Sequence, residues 1–175
     1  CRLIDGLHCL HKMGLIHGDL KFGNLMLKFE DDIPSVKIID VDGIGIKEGI
    51  LKRNVINYTY RAPGTDTPRD ITEMDDVYIM GWLILQMFAS YINYDIVSLR
   101  PGDDHKINVS DDTIIRIISK FFNKSERNVK ELKNKTIKLI LNMMKTNKTD
   151  RWTMKKVKKH MKKCIVFIDQ KREMI

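Results

Sequence analysis

Aromatic side chains are scarce in this sequence of 175 residues, at 7%, and cysteine is scarcer, with only Cys1, Cys9 and Cys164. Three scattered thiols exclude a disulfide framework and a cysteine-built zinc site, and they point to a reducing, intracellular setting. Long apolar runs are also missing. The longest, Ile79 to Ala89, falls short of the roughly 20 residues that a membrane-spanning helix needs. No secretory leader is visible at the N-terminus. The sequence opens on Cys1 within a helical pattern, which reads as a piece of something longer.

What is present is the composition of a globular domain, 43% hydrophobic and 31% charged, in a chain long enough to bury a core. The formal net charge of +8 is unevenly placed. Between Lys145 and Lys163 stand nine Lys or Arg and one acid, Asp150; the other 22 basic residues (31 − 9) and 22 acidic residues (23 − 1) cancel. A neutral body with one basic terminal helix argues against a general nucleic-acid or membrane surface. The plain reading of such a run is a solvated helix face, and the sharper one is a dock for an acidic partner.

Leu3, Ile4, Leu7 and Leu10 repeat at helical spacing and Gly14 stops that helix. After a dense polar stretch from His17 to Asn24, Leu25 to Lys28 and Val36 to Ile39 read as two short strands around a turn from Glu30 to Ser35. A central apolar helix is expected from Thr72 or Glu73 to Ala89, and a loop from Tyr91 to Val109. Further helices follow: one capped by Ser110, one from about Val129 to Met144, and one from Thr153 with Met154, Val157, Met161, Ile165 and Ile168 as its apolar stripe. The expected fold is mainly α with a small β-hairpin.

Chemistry concentrates at that hairpin. Asp19, Lys21 and Asn24 place a carboxylate, an ammonium and an amide oxygen within one loop, and Asp40 ends the second strand where it can fold back beside Asn24. Hard oxygen donors of this kind suit Mg²⁺ rather than zinc or copper. Transfer of a phosphoryl group needs such a set: a carboxylate for the attacking hydroxyl, a cation for phosphate charge, and metal ligands. In the plainer reading Asp19 and Asn24 only cap a turn while Asp40 ends a strand.

Five blocks in order carry a resemblance. His17-x-Asp19-x-Lys21-x-x-Asn24 resembles the catalytic loop of eukaryotic-type protein kinases, and Ile38-Ile39-Asp40-Val41-Asp42 stands where that family has its Asp-Phe-Gly metal motif. Tyr60-Arg61-Ala62-Pro63 is similar to the block closing the family's activation segment. Asp76-Val77-Tyr78-Ile79-Met80-Gly81 resembles the start of its central helix, and Arg151, within Asp150-Arg151-Trp152-Thr153, its late arginine. Any one block is weak, but five in register over residues 1 to about 161 are specific.

The resemblance implies the C-terminal lobe of a protein-kinase-like domain over residues 1–163, with 164–175 extending the last helix and the N-terminal lobe absent. It further implies a protein Ser/Thr kinase using ATP and Mg²⁺ on a protein hydroxyl. Asp19 would accept or orient the substrate proton, and Lys21 would contact the γ-phosphate. Asn24 and Asp40 would hold the metal, Met26 would floor the adenine, Asp76 would support the loop backbone, and His17 would pack beneath the metal motif. His8, His11, His105 and His160 have no partners at ligand spacing and read as ordinary surface or helix residues.

Departures from the family pattern qualify this. Gly18 replaces the arginine that grips a phosphorylated loop, so Tyr58, Thr59 and Tyr60 are not expected to act as a phosphate switch. Val41, Asp42 and Asn57 replace Phe, Gly and Thr. Gly64 replaces the glutamate that pairs with the late arginine, so Arg151 is expected to find Asp66 or Glu73, or to turn outward. Nothing in the 175 residues resembles the glycine-rich loop or the strand lysine that hold ATP from above. By itself the chain is therefore expected to bind nucleotide poorly. Two other readings stand beside the kinase: a pseudokinase or scaffold, and a small-molecule kinase of the aminoglycoside or choline type.

Overall fold

The computed structural model describes residues 2–30, 33–40, 45–46, 60–67, 70–95, 101, 105–123 and 130–172. Helix α1 (Arg2–Lys12) buries Leu3, Ile4 and Leu7 along one face. It ends at Gly14, whose left-handed φ of 73° suits a residue without Cβ and whose N–H donates to the His11 carbonyl at 3.2 Å. Strand β1 (Leu15–Ile16) leads into the polar loop, and a single 3₁₀ turn, Phe22–Asn24, hands the chain to β2 (Leu25–Glu30). β2 pairs antiparallel with β3 (Ile33–Ile38), from Leu25 opposite Ile38 to Glu30 opposite Ile33.

This hairpin is longer than the hydrophobic pattern suggests. Ile33, Pro34 and Ser35, expected in the turn, belong to β3, with Pro34 opposite Phe29. A two-stranded ribbon accommodates a proline because only alternate N–H groups point at the partner strand. A second small sheet was also not expected: β4 (Gly45–Ile46) pairs antiparallel with β1, Leu15 opposite Ile46. Two-residue strands are too short to carry a period that sequence reading can detect.

Helix α2 (Glu73–Tyr91) is the axis of the fold, two residues longer than expected. A reciprocal capping box starts it: Met74 N–H donates to the Thr72 hydroxyl at 3.3 Å and Thr72 N–H donates to Asp75 Oδ2 at 2.7 Å. Val77, Tyr78, Met80, Trp82, Leu83 and Leu85 are buried on all sides, as befits a helix enclosed by others. α3 (Asp111–Asn123), α4 (Lys130–Met143) and α5 (Met154–Arg172) complete the helical body. Ser110 caps α3 as expected, accepting from Thr113 N–H at 3.2 Å. On α5, Met154 and Val157 are buried as read, but Cys164 takes the inward place expected of Ile165, which is 37% exposed. The side chain of Ile168 lies outside the described residues. Among the described residues no helix is long and apolar enough to cross a membrane.

α2 meets the end of α4 at Gly81. A Cβ there would stand 2.9 Å from Met144 Cγ and 3.0 Å from Met143 Cβ. Gly81→Ala gains about 1 kcal/mol of helix propensity but overpacks a closed contact at about 1–3 kcal/mol. Met143 Cβ cannot move by changing rotamer, so the steric effect wins. A net loss of about 1 kcal/mol is expected, read as a lower urea midpoint with an unchanged m value.

Candidate active site

The polar loop is held from below by one buried carboxylate. Asp76, in the first turn of α2, is 2% exposed. Its Oδ2 accepts from His17 N–H at 2.8 Å and its Oδ1 from Gly18 N–H at 2.8 Å. His11 Nε2 lies 2.9 Å from the same Oδ2. A buried carboxylate without donors would be costly; three donors offset its desolvation and fix the loop backbone at two successive residues. The expected support role of Asp76 thus has its geometry. His11, read as an ordinary residue, is instead a buried partner 65 positions away in the chain. Gly18 sits at φ 74°, a backbone conformation that strains any residue with a Cβ.

Above this anchor the loop gathers three of the expected residues. Lys21 Nζ lies 2.7 Å from Asp19 Oδ2. Asn24 Nδ2 donates to the Asp19 carbonyl at 2.8 Å and to Asp19 Oδ2 at 3.3 Å. Leu20, buried between them, pins the loop to the core. His17 is also buried; its Nε2 lies 3.2 Å from the Ile39 carbonyl and its Nδ1 accepts from Asp19 N–H at 3.3 Å. That pair of bonds fixes the tautomer with the proton on Nε2. His17 therefore joins the polar loop to Ile39, the residue before Asp40.

Asp40 comes to the same end of the hairpin through the backbone, because Ile39 N–H donates to the Asn24 carbonyl at 2.9 Å. It is exposed and holds φ at 60°. A non-glycine residue in the left-handed region is a local strain that surrounding structure must enforce. Met26 sits further along β2, opposite Lys37 and 50% exposed. No hydrogen bond joins Met26 or Asp40 side chains to the Asp19 cluster.

These donors fit a hard divalent cation. Asn24 commits its amide nitrogen to Asp19, which turns its Oδ1 to the opposite side, and the Asp40 carboxylate is open. Among the described residues no three His, Cys, Asp or Glu are grouped to hold a metal. Mg²⁺ commonly takes one or two protein oxygens and completes its shell with phosphate and water.

The expected partners of Arg151 need correction. Asp66 pairs with Lys106 at 2.8 Å, and Arg151 neither reaches Asp66 or Glu73 nor turns outward. Its guanidinium is fully buried, with Nη1 3.5 Å from Asp75 Oδ1. It donates to the carbonyls of Lys145 (2.7 Å), Pro63 (2.9 Å), Thr146 (3.0 Å) and Met74 (3.2 Å), and its Cζ stands 4.8 Å from the Tyr78 ring centroid. Burial pulls the arginine below its usual pKa, and Asp75 and Tyr78 oppose that pull. Asp75 also accepts from the Thr65 hydroxyl and pairs with Lys148 at 3.0 Å. Gly64, at φ 77°, leaves the acid's role to a residue eleven positions later. The capping-box pattern Thr72-x-x-Asp75 was the sequence signal that could have found it. Val41, Asp42, Asn57, Tyr58 and Thr59 lie outside the described residues.

The block before Gly64 is anchored as well: Tyr60 packs on Trp82 of α2 with ring centroids 4.4 Å apart, and Ala62 is buried. A helical body bearing a hairpin, with a carboxylate, an ammonium and an amide clustered at its base, is an arrangement suited to phosphoryl transfer. The family model described as protein kinase domain matches residues 1–161. The chain belongs to the protein kinase domain family. It is similar to an Aurora kinase of Candida glabrata, 28% identical over 161 residues, which cover 91% of this chain and 40% of that protein. It is similar as well to the serine/threonine-protein kinase KIN4 of Saccharomyces cerevisiae, 27% identical over 63% of this chain and 13% of that protein. The stress-activated protein kinase JNK of Drosophila melanogaster is 29% identical over 59% of this chain and 26% of that protein. The chain thus spans well under half the length of these relatives.

Proposed function

We propose that this chain is the catalytic-loop half of a protein Ser/Thr kinase, passing the ATP γ-phosphate to a protein hydroxyl when a nucleotide-covering N-terminal lobe completes it. In this reading residues 1–163 make the C-terminal lobe and 164–175 extend its last helix, and free Cys9 and Cys164 suit a reducing, intracellular compartment. The observation that carries the proposal is the meeting of Asp19, Lys21 and Asn24 on a loop whose backbone Asp76 clamps. Positioning of this kind is most of what protein supplies to phosphoryl transfer.

Asp19 orients the substrate hydroxyl and takes its proton. Lys21, already beside that carboxylate, brings positive charge to the point where phosphate charge must be balanced. Asn24 Oδ1 and the Asp40 carboxylate hold Mg²⁺, which when bound neutralises phosphate charge. Met26 offers an exposed apolar surface to the adenine. The similarity of the chain to KIN4, a protein named as a serine/threonine-protein kinase, supports the Ser/Thr assignment.

The test compares Mg-ATP-dependent thermal stabilisation and phosphate transfer for this chain alone and for the chain completed by a glycine-rich lobe. Stabilisation follows RT ln(1 + [L]/Kd), about 2.7 kcal/mol at a hundredfold excess over Kd. The completed protein should shift and label a generic basic protein, while the isolated chain shifts little. Asp40→Asn should abolish the shift yet leave stability within about 0.5 kcal/mol, since Asn tolerates the left-handed backbone and the site is exposed. No shift of the completed protein at millimolar nucleotide would sink the catalytic reading. Transfer to choline or an aminoglycoside instead of protein would replace it with the small-molecule reading.

A further inference from the structure

The basic terminal segment sorts into two classes once its partners are known. Of nine cations between Lys145 and Lys163, four are used inside the molecule. Lys145 lies 3.5 Å from Asp111, Lys148 3.0 Å and Arg151 3.5 Å from Asp75, and Lys158 2.6 Å from Asp5 on α1. The other five, Lys155, Lys156, Lys159, Lys162 and Lys163, are exposed. Among the described residues none of them has an acid within ion-pair distance. At about 100° per residue they fall within a sector of about 120° on α5. Lys155, Lys159 and Lys163 recur about 6 Å apart along it, close to the roughly 6.6 Å repeat of same-side residues on an extended chain.

We infer that this face of α5 docks an acidic polypeptide segment, one presenting Asp or Glu at alternate positions. A charge-neutral body offers no competing cationic field, so the stripe is the place where an anionic partner gathers. Two other anions fit this surface less well. An anionic bilayer would want an apolar face to insert, yet Met154, Val157 and Cys164 are buried in the body. Single-stranded nucleic acid would want stacking aromatics or arginine. The stripe has only lysines, and the nearby Trp152 is half-buried against His160 at 5.1 Å. The dock is independent of the catalytic reading, since no nucleotide is needed to observe it.

The experiment measures anisotropy of a fluorescent twelve-residue peptide with glutamate at alternate positions, binding to the 175-residue chain without nucleotide. Binding should weaken more than tenfold between 50 and 300 mM salt. Lys155→Gln/Lys159→Gln/Lys162→Gln should weaken it about tenfold at low salt, and Lys159→Gln alone about two- to threefold. Lys37→Gln/Lys120→Gln/Lys138→Gln removes equal charge from exposed positions elsewhere and should change it less than twofold. Circular dichroism verifies that each variant keeps the fold. Equal losses from both triple variants, or no binding at low salt, overturn the proposal. Tighter stripe-dependent binding of phosphatidylserine vesicles or of a single-stranded RNA overturns it in favour of that partner.

Discussion

Arg151→Ala is expected to lower the free energy of unfolding by about 3–5 kcal/mol, the usual loss when one member of a buried charged network is removed. For a chain of 175 residues that is a fall in melting temperature of roughly 6–20 °C. The size follows from what the guanidinium holds. It ties the carbonyl of Pro63 to those of Lys145 and Thr146 and to Met74 at the start of α2, so one side chain joins three separate stretches of chain. Removing it leaves four carbonyls without that donor and a void beneath the Tyr78 ring, which burial has already pushed to a pKa of about 12. Arg151→Lys keeps the charge but not the planar fork, and should recover less than half of the loss. Asp75→Ala should be comparably severe, because it strips Arg151 and Lys148 of their carboxylate and opens the capping box at Thr72. A double-mutant cycle between the two should give a coupling of about 1–3 kcal/mol. If Arg151→Ala costs under 1 kcal/mol, the network does not organise this end of the fold.

How much of this could be read beforehand divides along the range of the signals. Elements with a sustained period were legible: α1 from Leu3, Ile4 and Leu7, α2 from its apolar run, and α3 from Ser110. The loop chemistry was legible because Asp19, Lys21 and Asn24 lie close in sequence, and a hairpin between Asn24 and Asp40 limits where the latter can go. Contacts of high sequence separation were legible only where the family resemblance carried them, as for Asp76 beneath the loop. Nothing local marks His11 as the partner of Asp76, or β4 as the partner of β1. A buried Arg151 needs an acid, but that acid is Asp75 of the capping box and neither Asp66 nor Glu73. Cys164 replaced Ile165 in the core because the true helical phase of α5 is set by packing, which a stripe of alternating candidates leaves free by one residue.

Asp76→Asn should separate the loop's anchor from its chemistry. The substitution is nearly isosteric, so it leaves no cavity, and what changes is the pattern of donors. Asp76 now offers two acceptor oxygens to three donors: His17 N–H, Gly18 N–H and His11 Nε2. Asparagine offers one oxygen and an NH₂, and the NH₂ must face at least one N–H that it cannot satisfy. Leaving a buried donor unpaired beside a lost charge costs about 2–3 kcal/mol. Asp76→Ala should cost more, about 3–5 kcal/mol, since all three donors lose their acceptor. The mark that distinguishes an anchor from a merely buried polar residue is local. Amide exchange at His17 and Gly18 should accelerate in Asp76→Asn by far more than exchange in the α2 core around Leu83, which reports global opening. Phosphate transfer by the completed protein should fall with that loss of order, because Asp19 and Asn24 hang on the same backbone. Asp40→Asn should do the reverse, silencing nucleotide binding while the loop amides stay protected. Uniform acceleration at all of these amides in Asp76→Asn would mean that the carboxylate stabilises the domain as a whole and does not specifically hold the loop.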